Sequence, residues 1–117
     1  MKQDKKFINQ HEFEHVNQTY KGFSYDSKLE ARYAAKLDRD IKEGKIDLWE
    51  RQVKVELFGE NGSRVADYKI DFVVYHKNGL TEYVEVKGFE SADWRLKWNL
   101  LEDKLGKRAD IKLSIIR

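Results

Sequence analysis

Two periods of apolar residues alternate along the chain, and each switch between them marks an element. The segment DSKLEARYAAKLDRDIKEGK, residues 26–45, has the period of a helix. Ser27 suits the N-cap, Glu30 three positions later completes a capping box, and the Ala-, Leu- and Lys-rich body favours helix. Gly44 is the natural residue just past its end. Residues 46–58 then alternate at Val53, Val55 and Leu57, which predicts a strand, and GENGS (59–63) predicts a turn. DYKIDFVVYH (67–76) and LTEYVEVKG (80–88) predict two more strands. Residues 91–106 return to the helical period: Ser91 caps them, Trp94, Trp98, Leu101 and Leu105 form the apolar stripe, and Gly106 ends them. ADIKLSIIR (109–117) closes the chain as a strand with Ile111, Leu113 and Ile115 on one face. The order is α-β-β-β-α-β, an α/β domain whose mixed sheet is flanked by helices. Ahead of it, residues 19–25 predict a short hairpin turning at Lys21-Gly22. Residues 1–18 are polar and aperiodic and read as an arm, with one strand near 11–16.

The turn between the second and third strands decides which side chains meet. A two-residue Asn78-Gly79 turn would oppose Phe72 to Glu85 and Asp71 to Val86, mixing apolar and charged residues on both faces. A three-residue loop, Lys77-Asn78-Gly79 with Gly79 left-handed, places Ile70, Phe72, Val84 and Val86 on one face. Lys69, Asp71, Val73, Tyr83, Glu85 and Lys87 then share the other. A slip of one residue exchanges the faces, so the pattern selects the second register. Asp71 then lies across from Glu85, with Cβ atoms ~5 Å apart.

Two opposed carboxylates repel, and a divalent cation between them would offset the repulsion. Mg²⁺ takes hard oxygen ligands, commonly one or two carboxylates with water and phosphate oxygens filling the remainder. Lys87, projecting from the same face, could hold an attacking water or stabilise charge on a phosphate. Such a set suits phosphodiester hydrolysis. The alternative is an exposed, salt-bridged strand in which Lys69 pairs with Glu85. Glu30 adds a third carboxylate. Ala34, Leu37 and Ile41 follow it at helical spacing, so it sits on the stripe that should face the sheet. A carboxylate aimed there must be hydrogen-bonded, paired or metal-bound. Its alternative role, compatible with the first, is to fold back onto the Ser27 amide.

Composition narrows the setting. A chain of 117 residues, 40% hydrophobic and 13% aromatic, suits one domain with a sizeable core. Residues 19–117 would form it, with 1–18 as the arm. The net charge of +2, from 23 basic and 21 acidic residues, lacks the surplus of a dedicated duplex binder. Nucleic-acid binding would therefore need uneven placement, an acidic centre ringed by Lys and Arg. Cys is absent, which excludes disulfides and thiolate zinc sites and fits a cytoplasmic protein. No apolar run approaches the ~20 residues of a membrane helix. MKQDKKFINQ lacks an apolar core, so no secretory signal is expected. Pro is absent too, and turns fall to Gly, Asn and Asp.

Glu30 on a first helix, Asp71 on a strand and Glu85-Val86-Lys87 on the next, in this element order, resemble the PD-(D/E)XK nuclease superfamily. YDSKLEARYAAKL, DYKIDFVVY and YVEVKGF followed by DWRLKWNLLE resemble a family of small phage-encoded nuclease-like domains. The resemblance covers residues 19–117 and implies a restriction-endonuclease-like core. It implies Asp71 and Glu85 as ligands of Mg²⁺ or Mn²⁺, the Val86 carbonyl as a third, Lys87 as the group that assists the attacking water, and Glu30 as an accessory ligand. The position before the Asp is often Pro in that superfamily; here it is Ile70, which does not touch the chemistry. The second helix often supplies basic groups, and Arg95 and Lys97 are the matching residues. In a phage setting the substrate would be branched, nicked, replicating or packaged DNA, including junctions, with phage replication or packaging proteins as partners. A domain this small rarely embraces both strands of a duplex, which favours a homodimer.

Lys104, Lys107 and Arg108 add phosphate-contacting cations to those on the second helix. Trp94 and Trp98, four residues apart, read as core rather than as stacking platforms. Lys28, Arg32 and Lys36 read as a solvated helix face. His11, His15 and His76 form no recognisable ligand set. A second function stays open beside the metal-dependent endonuclease: a non-catalytic nucleic-acid-binding or phage accessory module on the same fold.

Overall fold

A computed structural model describes residues 19–24, 27–87 and 90–117. The elements are β1 (Thr19–Tyr20), β2 (Phe23–Ser24), α1 (Lys28–Lys42), β3 (Ile46–Phe58), β4 (Arg64–His76), β5 (Thr81–Val86), α2 (Ala92–Leu105) and β6 (Ile111–Ile116). After the small β1–β2 hairpin the order is α-β-β-β-α-β, as the periodicity predicts. The strand predicted near 11–16 and His11 and His15 lie outside the described residues. β4 begins three residues earlier than the alternation suggests, because Ala66 and Arg64 pair with Leu57 and Phe58 of β3, with Val65 unpaired at an irregularity between them.

The sheet is mixed, in the order β3-β4-β5-β6. β3–β4 and β4–β5 are antiparallel; β5 and β6 are parallel, joined through α2. Both helix starts carry the predicted caps. Ser27 Oγ accepts the Glu30 N–H at 3.1 Å, and Ser91 Oγ accepts the Trp94 N–H at 3.1 Å. Gly106 ends α2 through a close approach: a Cβ there would stand 2.6 Å from the Glu102 carbonyl oxygen.

The β4–β5 connection follows the register selected from sequence. Gly79 is left-handed at φ +92, His76 N–H bonds the Leu80 carbonyl at 2.9 Å, and Phe72 pairs with Val84. A loop without positive φ at this position would shift the pairing by one residue and exchange the faces of β5.

The core has two parts, one under each helix. Ala31, Ala34, Ala35 and Leu37 of α1 pack with Ile46, Trp49, Phe72, Val74, Val84 and Val86. Trp94, Trp98, Leu101 and Leu105 of α2 pack with Leu57, Tyr68, Ile70 and Val73. Burying one such apolar side chain stabilises by ~1.5–3 kcal/mol. The predicted stripe of α1 holds at Glu30, Ala34 and Leu37, but Ile41 is 38% exposed. Both Trp residues of α2 are core, 6% and 2% exposed. A carboxylate ties the small hairpin down: Asp38 of α1 accepts from Tyr20 at 2.7 Å and Trp49 Nε1 at 2.9 Å, and meets Lys21 Nζ at 2.8 Å.

One predicted face is corrected. Ile70 does not share a cluster with Phe72, Val84 and Val86; it packs under α2. The reason lies on the neighbouring strand. Arg51 pairs with Phe72 and Val53 with Ile70, but the intervening Gln52 and Asp71 do not pair, and Gln52 has φ +53. This left-handed residue turns the hairpin over. Inboard of it, Trp49, Phe72 and Val74 serve α1; outboard, Val53, Val55, Leu57, Tyr68 and Ile70 serve α2. Strict alternation cannot survive such a residue, because a positive φ reverses the local direction of the side chains.

Candidate functional site

The site forms where β4 and β5 part. The ladder from the turn continues to Phe72 and Val84. In a continued ladder the Val86 N–H would be directed at the Ile70 carbonyl, since pairs alternate from His76–Leu80. Instead Asp71 Oδ2 accepts it at 2.9 Å. The side chain of Asp71 thus fills the gap between the strands and turns its carboxylate toward β5.

Glu85 lies beside that gap, 3% exposed. Its Oε1 is buried without a hydrogen-bond partner, and its Oε2 meets Lys87 Nζ at 3.4 Å. The predicted alternative, Lys69 paired with Glu85, is not what the structure contains. Burial, and then the negative charge of Asp71, push the Glu85 carboxyl up to about 7, against the pull of Lys87 and the Tyr68 hydroxyl. Such a group takes up or loses its proton near neutrality, and a bound cation would hold it ionised.

Helix α2 roofs the site. Lys87 Nζ stands 5.4 Å from the centre of the Trp94 ring, and the Arg95 guanidinium 4.9 Å from the same ring. Trp94 Nε1 donates to the Tyr68 hydroxyl at 2.6 Å, which fixes β4 outboard of the bend against the helix. Burial, then the charge of Glu85, push the Tyr68 hydroxyl far above its ordinary range, so it stays protonated beside that carboxylate. An open cavity of ≈ 350 Å³ results, lined by Asp71, Glu85, Lys87, Tyr68, Trp94 and Gln52, with Asp67, Lys69, Asp93 and Lys97 around it.

The structure thus brings three of the predicted catalytic residues, Asp71, Glu85 and Lys87, into one cavity. Glu30 is buried at 7% exposure on α1, whose apolar neighbours belong to the other core cluster, and it does not line that cavity. Val86 enters through its N–H, held by Asp71, while its side chain packs under α1. Among the described residues, no three His, Cys, Asp or Glu side chains are grouped to hold a metal ion. The donor set present is two carboxylates, one with an unsatisfied buried oxygen. That fits Mg²⁺ or Mn²⁺, which need no more than one or two protein carboxylates when water and a phosphate complete the shell.

The predicted phosphate contacts separate. Lys97 faces the cavity. Arg95 is held by Glu90 at 2.5 Å, Lys104 donates to the Glu56 carbonyl at 3.1 Å, and Arg108 pairs with Asp110 at 3.1 Å. Lys107 lies by Gly106 and Ile111, away from the site. Tyr68, Gln52, Asp67 and Asp93 line the cavity without a predicted role there, and Lys69, predicted on this face as an alternative partner of Glu85, lines it too. The signal for Tyr68 and Lys69 was their closeness to Asp71 on one strand; for Gln52 and Asp93 the sequence carries none.

A family model described as a protein of unknown function, DUF1064, matches residues 10–117, and the chain belongs to that family. No curated protein and no solved structure matches it. No helix among the described residues is long and apolar enough to cross a membrane.

Proposed function

We propose that the chain is an Mg²⁺- or Mn²⁺-dependent DNA endonuclease of the PD-(D/E)XK type. The observation that carries this reading is Glu85: a buried carboxylate with an unpartnered oxygen, next to Asp71 and Lys87, opening into a cavity that accepts solvent. A protein seldom keeps such an oxygen unless something binds it. The metal, when bound, would lower the pKa of a water and offset charge on the phosphate. Asp71 and Glu85 would hold it. Asp71 is oriented by the Val86 N–H, and Glu85 by the Lys87 ammonium. Lys87, two residues along from Glu85 and steadied over Trp94, would orient the attacking water and neutralise the developing phosphate charge. Tyr68 and Trp94 fix the roof over Glu85.

Branched and nicked DNA form the substrate class to test first. Linear, single-stranded, flap and four-way-junction DNA are incubated with the protein in Mg²⁺ or in EDTA. Cleavage of at least one substrate in Mg²⁺ alone, lost in Asp71→Ala and Lys87→Ala variants that melt as the parent does, is the expected result. Cleavage that persists in either variant overturns the role assigned to that residue. Lys69 and Lys97 on the cavity wall also suit a second reading, a binding module without turnover. That reading predicts DNA binding that EDTA leaves unchanged and no product with any substrate.

A further inference from the structure

The outer part of the β3–β4 hairpin carries two like-charge pairs on either side of the Val55–Tyr68 pair. Glu56 stands directly opposite Asp67, and Lys54 directly opposite Lys69. Such pairs are unfavourable in a sheet unless something neutralises them. The acidic pair has its counter-ion. Arg64 grips Asp67 with Nε at 3.2 Å and Nη2 at 2.9 Å, and reaches Glu56 at 4.0 Å. The lysine pair does not. Both side chains are exposed, and neither makes an ion pair among the described residues. Asp67, near enough to feel Lys54, already has both oxygens bound by Arg64.

Position gives this pair its meaning. Lys69 lies on the wall of the same cavity as Asp71 and Glu85. Two residues of strand separate Lys69 from Asp71, ~6.6–6.8 Å, comparable with the step between successive phosphates of a nucleic-acid strand. Lys54 doubles the positive charge at that point. We infer that Lys54 and Lys69 form a seat for the backbone phosphate next to the one attacked at Glu85, which makes the β3–β4 hairpin an arm that grips the substrate strand. The inference rests on the phosphodiester reading above and supplies what the paired cations of α2 and its C-terminal end do not: an ammonium pair with no internal partner.

Binding is measured without turnover, in EDTA, by the anisotropy of labelled single-stranded and duplex DNA over a series of salt concentrations. Lys54→Ala/Lys69→Ala should weaken binding several-fold and reduce the slope of log K against log salt by about one, the value for one phosphate contact. Lys54→Arg/Lys69→Arg should restore both. Lys42→Ala/Lys112→Ala, which removes the same charge from exposed positions elsewhere, should leave the slope unchanged. The alanine pair should melt no lower than the parent, since a repulsion has been removed. An unchanged slope, an equal loss in the Lys42/Lys112 control, or a parent that binds no DNA overturns the inference. Equal competition by inorganic phosphate or a mononucleotide overturns it as well, assigning the seat to a free anion. Binding that depends on the pair in a protein that never cleaves would sink the nuclease reading and leave the seat standing. Cleavage without any effect of the pair would do the reverse.

Discussion

Strand β5 buries two glutamates three residues apart, one toward each helix, and they are treated in opposite ways. Glu82, on the α1 side, is 9% exposed and fully partnered. One oxygen meets His76 Nε2 at 2.8 Å, and the other accepts from Ser114 Oγ at 2.6 Å. Glu85, on the α2 side, is more deeply buried, has one oxygen without a partner, and faces another carboxylate. A buried polar group that is satisfied holds a fold together; one that is left wanting marks a place where a ligand is expected. The strand and the residue type are the same and both side chains are buried, so the difference lies in what the neighbouring elements offer. β6 and the end of β4 bring Glu82 a hydroxyl and an imidazole. The parting of β4 from β5 leaves Glu85 with Asp71, Lys87, the Tyr68 hydroxyl and an opening.

The contrast is broken most sharply by activity. Asp71→Ala, Lys87→Ala and Glu85→Gln should each reduce DNA cleavage at least ~100-fold, as loss of a group that meets charge in the transition state does. Glu82→Gln should leave cleavage within a few-fold of the parent. Gel assays on the preferred substrate check both, and a Glu82 variant as inactive as a Glu85 variant would erase the distinction.

The second test is pH. The Glu85 carboxyl is raised from its ordinary 4.5 to about 7, so between those values the folded chain binds more protons than the unfolded chain. Stability contributed by the protonated form is fully present below about 4.5 and is lost as pH rises through about 7, a total of ~3 kcal/mol at 1.36 kcal/mol per pH unit. Melting in EDTA should show this slope in the parent and not in Glu85→Gln. A saturating divalent ion should oppose it, restoring ~2.7 kcal/mol at a hundred times its Kd. A parent and a Glu85→Gln variant with parallel profiles would refute the assigned shift.

Stability separates the two glutamates in the other direction. Glu82→Ala strips His76 and Ser114 of their common acceptor and should cost ~1–3 kcal/mol, read as a lower denaturation midpoint at unchanged slope. Glu85→Gln should be neutral or stabilising above pH 7, because it removes a buried charge. The smallest effect concerns the bend that shapes the site. Gln52→Gly should stabilise by up to ~1 kcal/mol by relieving the left-handed backbone, whereas Gln52→Val should destabilise by more than that. If Val were tolerated, the bend would not depend on that φ.

Much of the fold was legible because it follows from local rules. Ser27 and Ser91 cap the helices, Trp94, Trp98, Leu101 and Leu105 face inward, and the Lys77-Asn78-Gly79 loop sets the register of β4 against β5. From that register alone, Asp71, Glu85 and Lys87 could be placed near one another. The role of Ile70 was misread for an equally definite reason. Alternation along β4 treats that strand alone, but its partner turns it over: Gln52 of β3, left-handed at φ +53 between the Arg51–Phe72 and Val53–Ile70 pairs, has no Gly to announce it.

What the linear pattern determined by itself is the set of elements, their order, and the near approach of two acids and a lysine on adjoining strands, because periods, caps and a left-handed turn act within a few residues. Which glutamate of β5 is satisfied, that Asp71 binds the Val86 amide instead of a ladder partner, and that Tyr68 and Trp94 close over Glu85 were decided only in the tertiary structure. Desolvation and hydrogen-bond supply belong to the space between elements, and segments far apart in sequence must first be packed before that space exists.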